Sequence, residues 1–383
     1  MRNLSITSLT ILALGTSSCI FAADMDTRVK ELETKMEKVY TKTANGADGA
    51  KTANARPEPH GNGWWINLDA LYWHTKVGGT EYVQTTTTVA TTGNTNTGSF
   101  NQVDPDWAWG FKVGIGYKYD HDGWDSHLEY TYFRPSDSSR TTVAAPAGLI
   151  ALRGNSLVSE DNLTDSSGGF QFCTTATSDF QYQYDNINLE IGRNYFVSRS
   201  LSLRPHVGLR TLWLDLQQTT RYTGGDNILS NGEVAVTFLG NNTVEVVDRS
   251  DFWGLGLRTG FDTKWHLTNG FSIFGDVSGA LLWGRFETRM RTTFSPTPAN
   301  LHNLRNDFHR IVPAVNLILG LAYDQYIYND KQHIGISLGY DTQYLWRVNQ
   351  MMVPNFNASA PTASSVSEDV SIQGVTFEIR WDF

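Results

Sequence analysis

Beyond its first twenty or so residues the sequence has no long hydrophobic run. A membrane-spanning helix needs about 18 consecutive apolar residues, so helical spans are excluded although hydrophobic residues make up 40% of the chain. An excess of basic residues is also missing: the net charge is −9, which argues against nucleic acid as a partner because phosphate binding needs a basic surface. Cysteine is scarce, with 2 in 383 residues. If the first falls in a cleaved leader, Cys173 remains alone and no internal disulfide can form. It is then either an unpaired thiol in a long loop or a partner for another chain. No C-x-x-C or Cys/His cluster points to a metal, and no cofactor is expected. What is plentiful is aromatic residues, 12%, and glycine, 34 residues, a composition suited to an all-β protein.

The N-terminus reads as a secretory signal over residues 1–23. Met1-Arg2 supplies positive charge, Leu9 to Leu14 an apolar core, and Ala22-Ala23 a cleavage site before Asp24. Cys19 raises lipid attachment as an alternative, but Thr16 stands where such a signal carries a large apolar residue. Over residues 24–43, Met25, Val29, Leu32, Met36 and Val39 recur at spacings of four and three, the pattern of a short coiled-coil helix. At two to three heptads it is marginal alone, so it is either an oligomerisation stalk, as in a homotrimer, or an amphipathic helix lying on another surface. Residues 44–63, rich in Ala, Asn, Gly and Lys with Pro57 and Pro59, form a flexible linker.

From Trp64 the hydrophobic period becomes two. Trp107, Trp109, Phe111, Val113, Ile115, Tyr117 and Tyr119 alternate with Ala108, Gly110, Lys112, Gly114, Gly116 and Lys118. Residues 251–266 repeat the pattern, with Trp253, Leu255, Leu257, Phe261 and Trp265 on one face. Soluble strands usually alternate for about five or six residues; these runs have the length of a tilted membrane strand. The segments 64–73, 107–119, 124–134, 180–196, 201–214, 252–266, 271–286, 309–324, 332–346 and 370–383 predict about ten strands over 64–383. The loops 135–179 and 215–251 leave room for twelve or more, with Val234–Phe238 the best extra strand. Short turns at 120–123, 197–200, 267–270 and 327–331 alternate with long polar loops at 74–106, 135–179, 215–251, 287–308 and 347–369. This is the rhythm of a transmembrane antiparallel up-and-down β-barrel, exported to the bacterial outer membrane with its outward face against lipid.

Each of the 12 tryptophans lies near a predicted strand end. Trp73, Trp107, Trp109, Trp213, Trp253, Trp283 and Trp346 adjoin long loops, and Trp64, Trp65, Trp124, Trp265 and Trp381 lie at the opposite rim. Indole and phenol rings favour the membrane–water boundary, where the apolar ring meets lipid and the N–H or O–H meets water. Trp253 and Trp265 are twelve residues apart. At ~3.3 Å per residue and ~40° tilt they project to ~30 Å along the membrane normal, matching two girdles around the apolar band.

The last residues, Val375, Phe377, Ile379, Trp381 and Phe383, alternate to a terminal Phe. They resemble the closing strand that the barrel-assembly machinery reads in bacterial outer-membrane proteins. Together with the leader, the short heptads and the strand Trp65-Ile66-Asn67-Leu68-Asp69-Ala70-Leu71-Tyr72-Trp73, the chain resembles the pore-forming major outer membrane proteins of Legionella, a family also found in environmental chlamydiae. The resemblance implies a general diffusion porin and supplies no catalytic residue.

Twelve inward polar residues are pore-lining candidates: Lys112, His127, Glu129, Glu190, Arg204, His206, Arg210, Arg258, Asp262, Lys264, Asp276 and Asp341. Rings of opposite charge would filter solutes; equally, salt bridges could fill a narrow interior. Inward glycines such as Gly114, Gly116, Gly256 and Gly260 either leave lumen space or admit bulky neighbours. Gly335-Ile336-Ser337-Leu338-Gly339 matches the G-x-S-x-G nucleophile pattern, but that motif works on a strand-to-helix turn and here it sits inside an alternating strand. The threonines at 85–88, 91 and 92 read as a solvated loop or an adhesive one.

The leading expectation is therefore a non-enzymatic porin passing small hydrophilic solutes. The alternatives are a closed or narrow barrel whose external loops act as adhesin or surface antigen, and a barrel protease or lipase.

Overall fold

The structure, a computed structural model, describes Thr34 and residues 63–86, 98–119, 123–144, 147–153, 172–198, 200–224, 229–230, 235–236, 243–268, 270–295, 299–327, 332–357 and 360–383. The signal, heptad and linker segments lie outside the described residues, apart from the helical Thr34 and from Gly63, which opens the first strand.

Ten strands form the barrel: β1 Gly63–Val77, β2 Ala108–Lys118, β3 Trp124–Phe133, β4 Thr175–Arg193, β5 Leu201–Thr223, β6 Thr243–Thr268, β7 Phe271–Ser295, β8 Ala299–Ile327, β9 Gln332–Asn349 and β10 Glu368–Asp382. Each pairs antiparallel with its neighbours in sequence, and β10 pairs with β1 from Trp65↔Asp382 to Val77↔Val370. The ring is closed. Closure pairs the backbone of the lipid-facing band within the sheet, which hydrocarbon cannot do. The extra strand expected at Val234–Phe238 is not part of it: Ala235–Val236 pairs only with Leu229–Ser230.

Alternation decides the two faces. On β2, Trp109, Phe111, Val113 and Ile115 point out and Lys112, Gly114 and Gly116 point in. Leu255, Leu257, Leu281, Leu317, Leu319, Leu321 and Leu338 are likewise exposed on the outer surface, as lipid-facing residues must be. The inward glycines do not leave space. A side chain at Gly114 would collide with Asn67 and His127, and one at Gly116 with the Trp65 ring. In the short β6–β7 turn Gly270 takes φ +86°, a left-handed conformation that glycine adopts without strain.

β5 to β8 are much longer than expected, 23, 26, 25 and 29 residues, against 15, 11 and 10 for β1 to β3. The membrane-crossing part of β6 is 253–265, between its two tryptophans; Thr243–Phe252 projects beyond. The stretches read as polar loops at 215–251 and 287–308 are thus largely strand. Their Thr, Val and Arg residues continue the ladder once neighbouring strands satisfy the backbone, and they lack the apolar signal because both faces are no longer beside lipid. The free edge of β4 is covered by Ser136–Thr142, which pairs with it. β8 leaves β9 above the pair Ala314↔Leu345, at Pro313, which has no N–H to donate.

Inside this tall wall, Phe100–Gln102, Glu81–Thr86, Gly148–Ala151 and Phe172–Cys173 form a four-stranded sheet. It packs into one apolar cluster with wall residues including Leu216, Tyr222, Val244 and Val246.

Candidate functional site

The inward face of the barrel carries the chemistry, and it divides into levels. Nearest the short turns, His333 bridges Asp382 (2.6 Å) and Asp324 (3.1 Å), Lys264 pairs with Asp324 at 2.6 Å, and Arg380 with Asp382 at 2.7 Å. At mid-depth Glu190 is the hub. It pairs with Arg258, with Arg204 at 2.8 Å, and with His206 at 3.4 Å. Arg204 also reaches Asp262 at 2.6 Å and Asp125 at 2.5 Å. Planar guanidinium groups suit such multiple pairing because their donors fan out in one plane.

One level higher, Lys112 on β2 meets Asp341 on β9 at 3.0 Å, three strands away around the ring. Arg210 donates to Asn186 at 2.8 Å and to the Tyr184 hydroxyl at 2.6 Å. That hydroxyl donates to Gln343 Oε1 at 2.8 Å. Tyr184 is on β4 and Gln343 on β9, five strands apart in either direction around a ring of ten. The Tyr184 and Gln343 side chains, joined by this hydrogen bond, therefore reach across from opposite walls. The lumen is shut at this level.

Above it the filling turns apolar. Trp73, Phe133, Tyr182, Leu212, Leu214, Phe252 and Phe286 are essentially inaccessible, and Trp73 donates its Nε1–H to Thr376 at 3.1 Å. Still higher, the segment Gly78–Tyr82 crosses the mouth as a strap. Asn349 donates to Gly78 O (2.8 Å), Gln218 to Thr80 O (2.9 Å) and Tyr222 to Tyr82 O (2.5 Å). Arg153 holds the carbonyls of both Gly79 and Glu81, the latter at 3.1 Å. Five successive carbonyls are thus bound by buried side chains, meeting the requirement that buried backbone groups be paired. Arg153 also pairs with Asp248 at 3.5 Å, both almost wholly buried. Burial pushes the Asp248 carboxyl up to about 7, with Arg153 acting against the rise.

All twelve sequence-derived pore candidates face inward. Nine are joined in the contacts above; His127 adds a 3.7 Å contact to Glu190 and Glu129 accepts from Asn188 at 3.0 Å. Asp276 stands opposite Asp262 across β6–β7. Apart from Lys112 with Asp341, the candidates' ion pairs join neighbouring or next-neighbouring strands along the wall, and the Asp262 and Lys264 side chains stay 31% exposed. The girdle expectation fits Trp107, Trp109, Trp213, Trp253, Trp265, Trp283, Trp346 and Trp381, all exposed. It is wrong for Trp73, which is 0% exposed, and for Trp65 at the other rim. On β1, Asn67 and Asp69 face in, and strand alternation carries Trp65 and Trp73 with them while Trp64 and Tyr72 go out. Phe377, Ile379, Trp381 and Phe383 point outward on or just after β10, and Phe383 donates its N–H to Trp64 O at 2.9 Å.

Sequence reasoning missed Asp125, Tyr184, Asp324, His333, Gln343, Arg380 and Asp382, although each shares the inward parity of its strand. Arg153 and its partner Asp248 had no such signal, since both fell in expected loops. Ser337 of the G-x-S-x-G pattern lies within β9 and donates to Glu378 at 3.0 Å. Cys173 is free and fully buried, its sulfur 3.7 Å from Leu149 O. Burial pushes its thiol up to about 12, so it is not presented to another chain. Among the described residues no group of three His, Cys, Asp or Glu is placed to hold a metal ion.

Comparison with known families matches residues 57–383 to the family described as the Legionella pneumophila major outer membrane protein precursor. The chain belongs to this family. No curated relative matches it. Among solved structures it is similar to the outer membrane protease OmpT of Escherichia coli, at 10% identity and TM-score 0.37, covering 84% of this chain and 96% of that one. It is also similar to a major outer membrane protein of Thermus thermophilus, at 10% identity and TM-score 0.29, covering 85% and 100%. A third is the toluene transporter TbuX of Ralstonia pickettii, at 12% identity and TM-score 0.31, covering 87% and 92%. Nothing of their chemistry is carried over at these levels of similarity. Family and fold together make this an outer-membrane β-barrel protein.

Proposed function

We propose that this barrel is a non-enzymatic, gated passage for small hydrophilic solutes, at rest in its shut state, with its long-loop end facing outside. The observation that carries the reading is the ionised lining at membrane depth, centred on Glu190, Arg204, Arg258 and Asp262. Filling a narrow cylinder for stability alone favours apolar side chains, because desolvation offsets most of what a buried ion pair gains. Ionisable groups inside a membrane instead mark pathways for polar species. The closing parts are separable from this lining: the Gly78–Tyr82 strap and its Arg153 clamp come from loops, and the Tyr184–Gln343 bridge is a single hydrogen bond.

A second reading is a permanently closed barrel that serves as a surface structure. The diametric Tyr184–Gln343 contact favours it. Planar-bilayer recording separates the two. The passage reading expects brief, small conductance steps from wild type and sustained steps when Arg153→Ala and Tyr184→Ala are combined in a heat-modifiable, folded protein. Silence from that folded double variant supports the closed surface structure instead.

A further inference from the structure

On the outer surface of the tall wall, strand register places side chains in rows that run across the strands and, because the strands tilt, climb from β5 to β8. The lowest relevant row, Leu255, Trp283 and Ile311, faces lipid, and the next contains Trp213 and Trp253. Above the tryptophans stands a row of carboxylates, Asp215, Asp251, Glu287 and Asp307, one on each of β5 to β8. Above these, Arg249, Arg289 and Arg305 stand in register on β6 to β8. Rows lie ~7 Å apart and the four strands cover ~15 Å. A groove of about 460 Å³ opens here, lined by Gln181, Gln183, Trp213, Trp253 and Asp251 with Arg249 and Arg285, and Arg289 and Arg305 stand on the strands beside it rather than in its lining.

Three features define what fits. The groove continues upward from the lipid-facing surface, so its occupant is the head group of a lipid whose chains lie on the rows below. Aromatic faces, amides and carboxylates suit a sugar, whose C–H face packs on indole while its hydroxyls donate to Asp and Gln. The Arg289 and Arg305 side chains are 51% and 55% exposed and bind neighbouring carboxylates only at the solvent edge, leaving donors for phosphate. Carboxylates directly opposite one another, as at Asp215↔Asp251 and Asp251↔Glu287, repel across a strand pair. Arg285, Arg289 and Arg305 already pair with Glu287 and Asp307, whereas Asp215 and Asp251 have no ion pair among the described residues and are the carboxylates left to accept from hydroxyl donors.

We propose that this face of the barrel binds the phosphorylated sugar head group of an outer-leaflet glycolipid. The inference rests on the wall's register and its place in the outer leaflet, not on conduction, so a barrel that proved closed would leave it intact. The test is native mass spectrometry of the full chain released from detergent with a diphosphorylated, acylated glucosamine disaccharide. The parallel arms use the same lipid without phosphates, and inorganic phosphate at millimolar concentration as competitor.

Wild type should retain the phosphorylated lipid, and R249Q/R289Q/R305Q should retain about tenfold less. The dephosphorylated lipid should be held weakly by both, and inorganic phosphate should displace little. Should the triple variant fail the heat-modifiability check for folding, R289Q/R305Q at these exposed sites reads the same loss. Equal retention of the two lipids, equal retention by a folded arginine variant, or displacement by inorganic phosphate alone overturns the proposal.

Discussion

At membrane depth the inward side chains are Lys112, Glu190, Arg204, Arg258 and Asp262, while nearer the outer mouth they are Leu212, Leu214, Phe252 and Phe286. Both levels are filled, yet by opposite means. The lower holds itself together through pairs between strands that are not neighbours, such as Lys112 with Asp341 and Arg204 with Asp125. The upper is sealed by ordinary apolar burial of loop segments against wall side chains, the same force that builds a soluble core. The contrast teaches that only the upper seal is made of parts that can leave. Strand residues at the lower level can rearrange their partners but stay where the ladder fixes them.

Perturbing the hub of the lower level should have the largest effect. Glu190→Ala leaves Arg204, Arg258 and His206 without their shared carboxylate and should destabilise the barrel by about 3–5 kcal/mol, read from urea unfolding of the heat-modifiable band. Leu212→Ala in the upper level should cost about 2–5 kcal/mol through its cavity in the same assay. Replacing the whole Lys112–Asp341 pair, by Lys112→Met with Asp341→Leu, should be neutral or stabilising by about 1–4 kcal/mol. A large loss from that double replacement would erase the distinction between an ionic level kept for passage and one kept for stability.

A smaller effect follows from Asp248. In the shut mouth burial raises its carboxyl to about 7 from an ordinary value of 3.8. Between those values the shut state binds more protons than an open, hydrated one, so raising the pH through this window favours opening. Bilayer conductance should climb from about pH 4 to 7 and level off above, and Asp248→Asn should flatten the profile. A conductance that falls over the same range contradicts the assignment of Asp248 to the closing strap.

Much of this is legible in the sequence. The period-two runs mark the ten membrane crossings, and the parity of Lys112, Glu190 and Asp262 marks the inward face. Two kinds of feature are not. β1 is apolar on both faces near its ends, so residue type alone misplaces Trp65 and Trp73, whose side follows from Asn67 and Asp69. Above the membrane the strands lose the lipid-facing alternation that makes them visible, and the upper parts of β5 to β8 resemble loops. Arg153 and Asp248 meet across 95 residues of chain, a contact that no spacing announces.

The central claim is that the ionic level is shielded from outside water by a seal that Arg153 and Tyr184 hold in place. Ser278, buried and inward beside Arg258, offers the direct probe as Ser278→Cys, because native Cys173 is buried with its thiol near 12 and reacts little. The rate of modification by a membrane-impermeant thiol reagent, applied from the long-loop side, should be low in the otherwise unchanged protein and rise sharply when Arg153→Ala and Tyr184→Ala are combined. Rapid labelling in both backgrounds would mean that water reaches the ionic level without any gate, and would contradict the account.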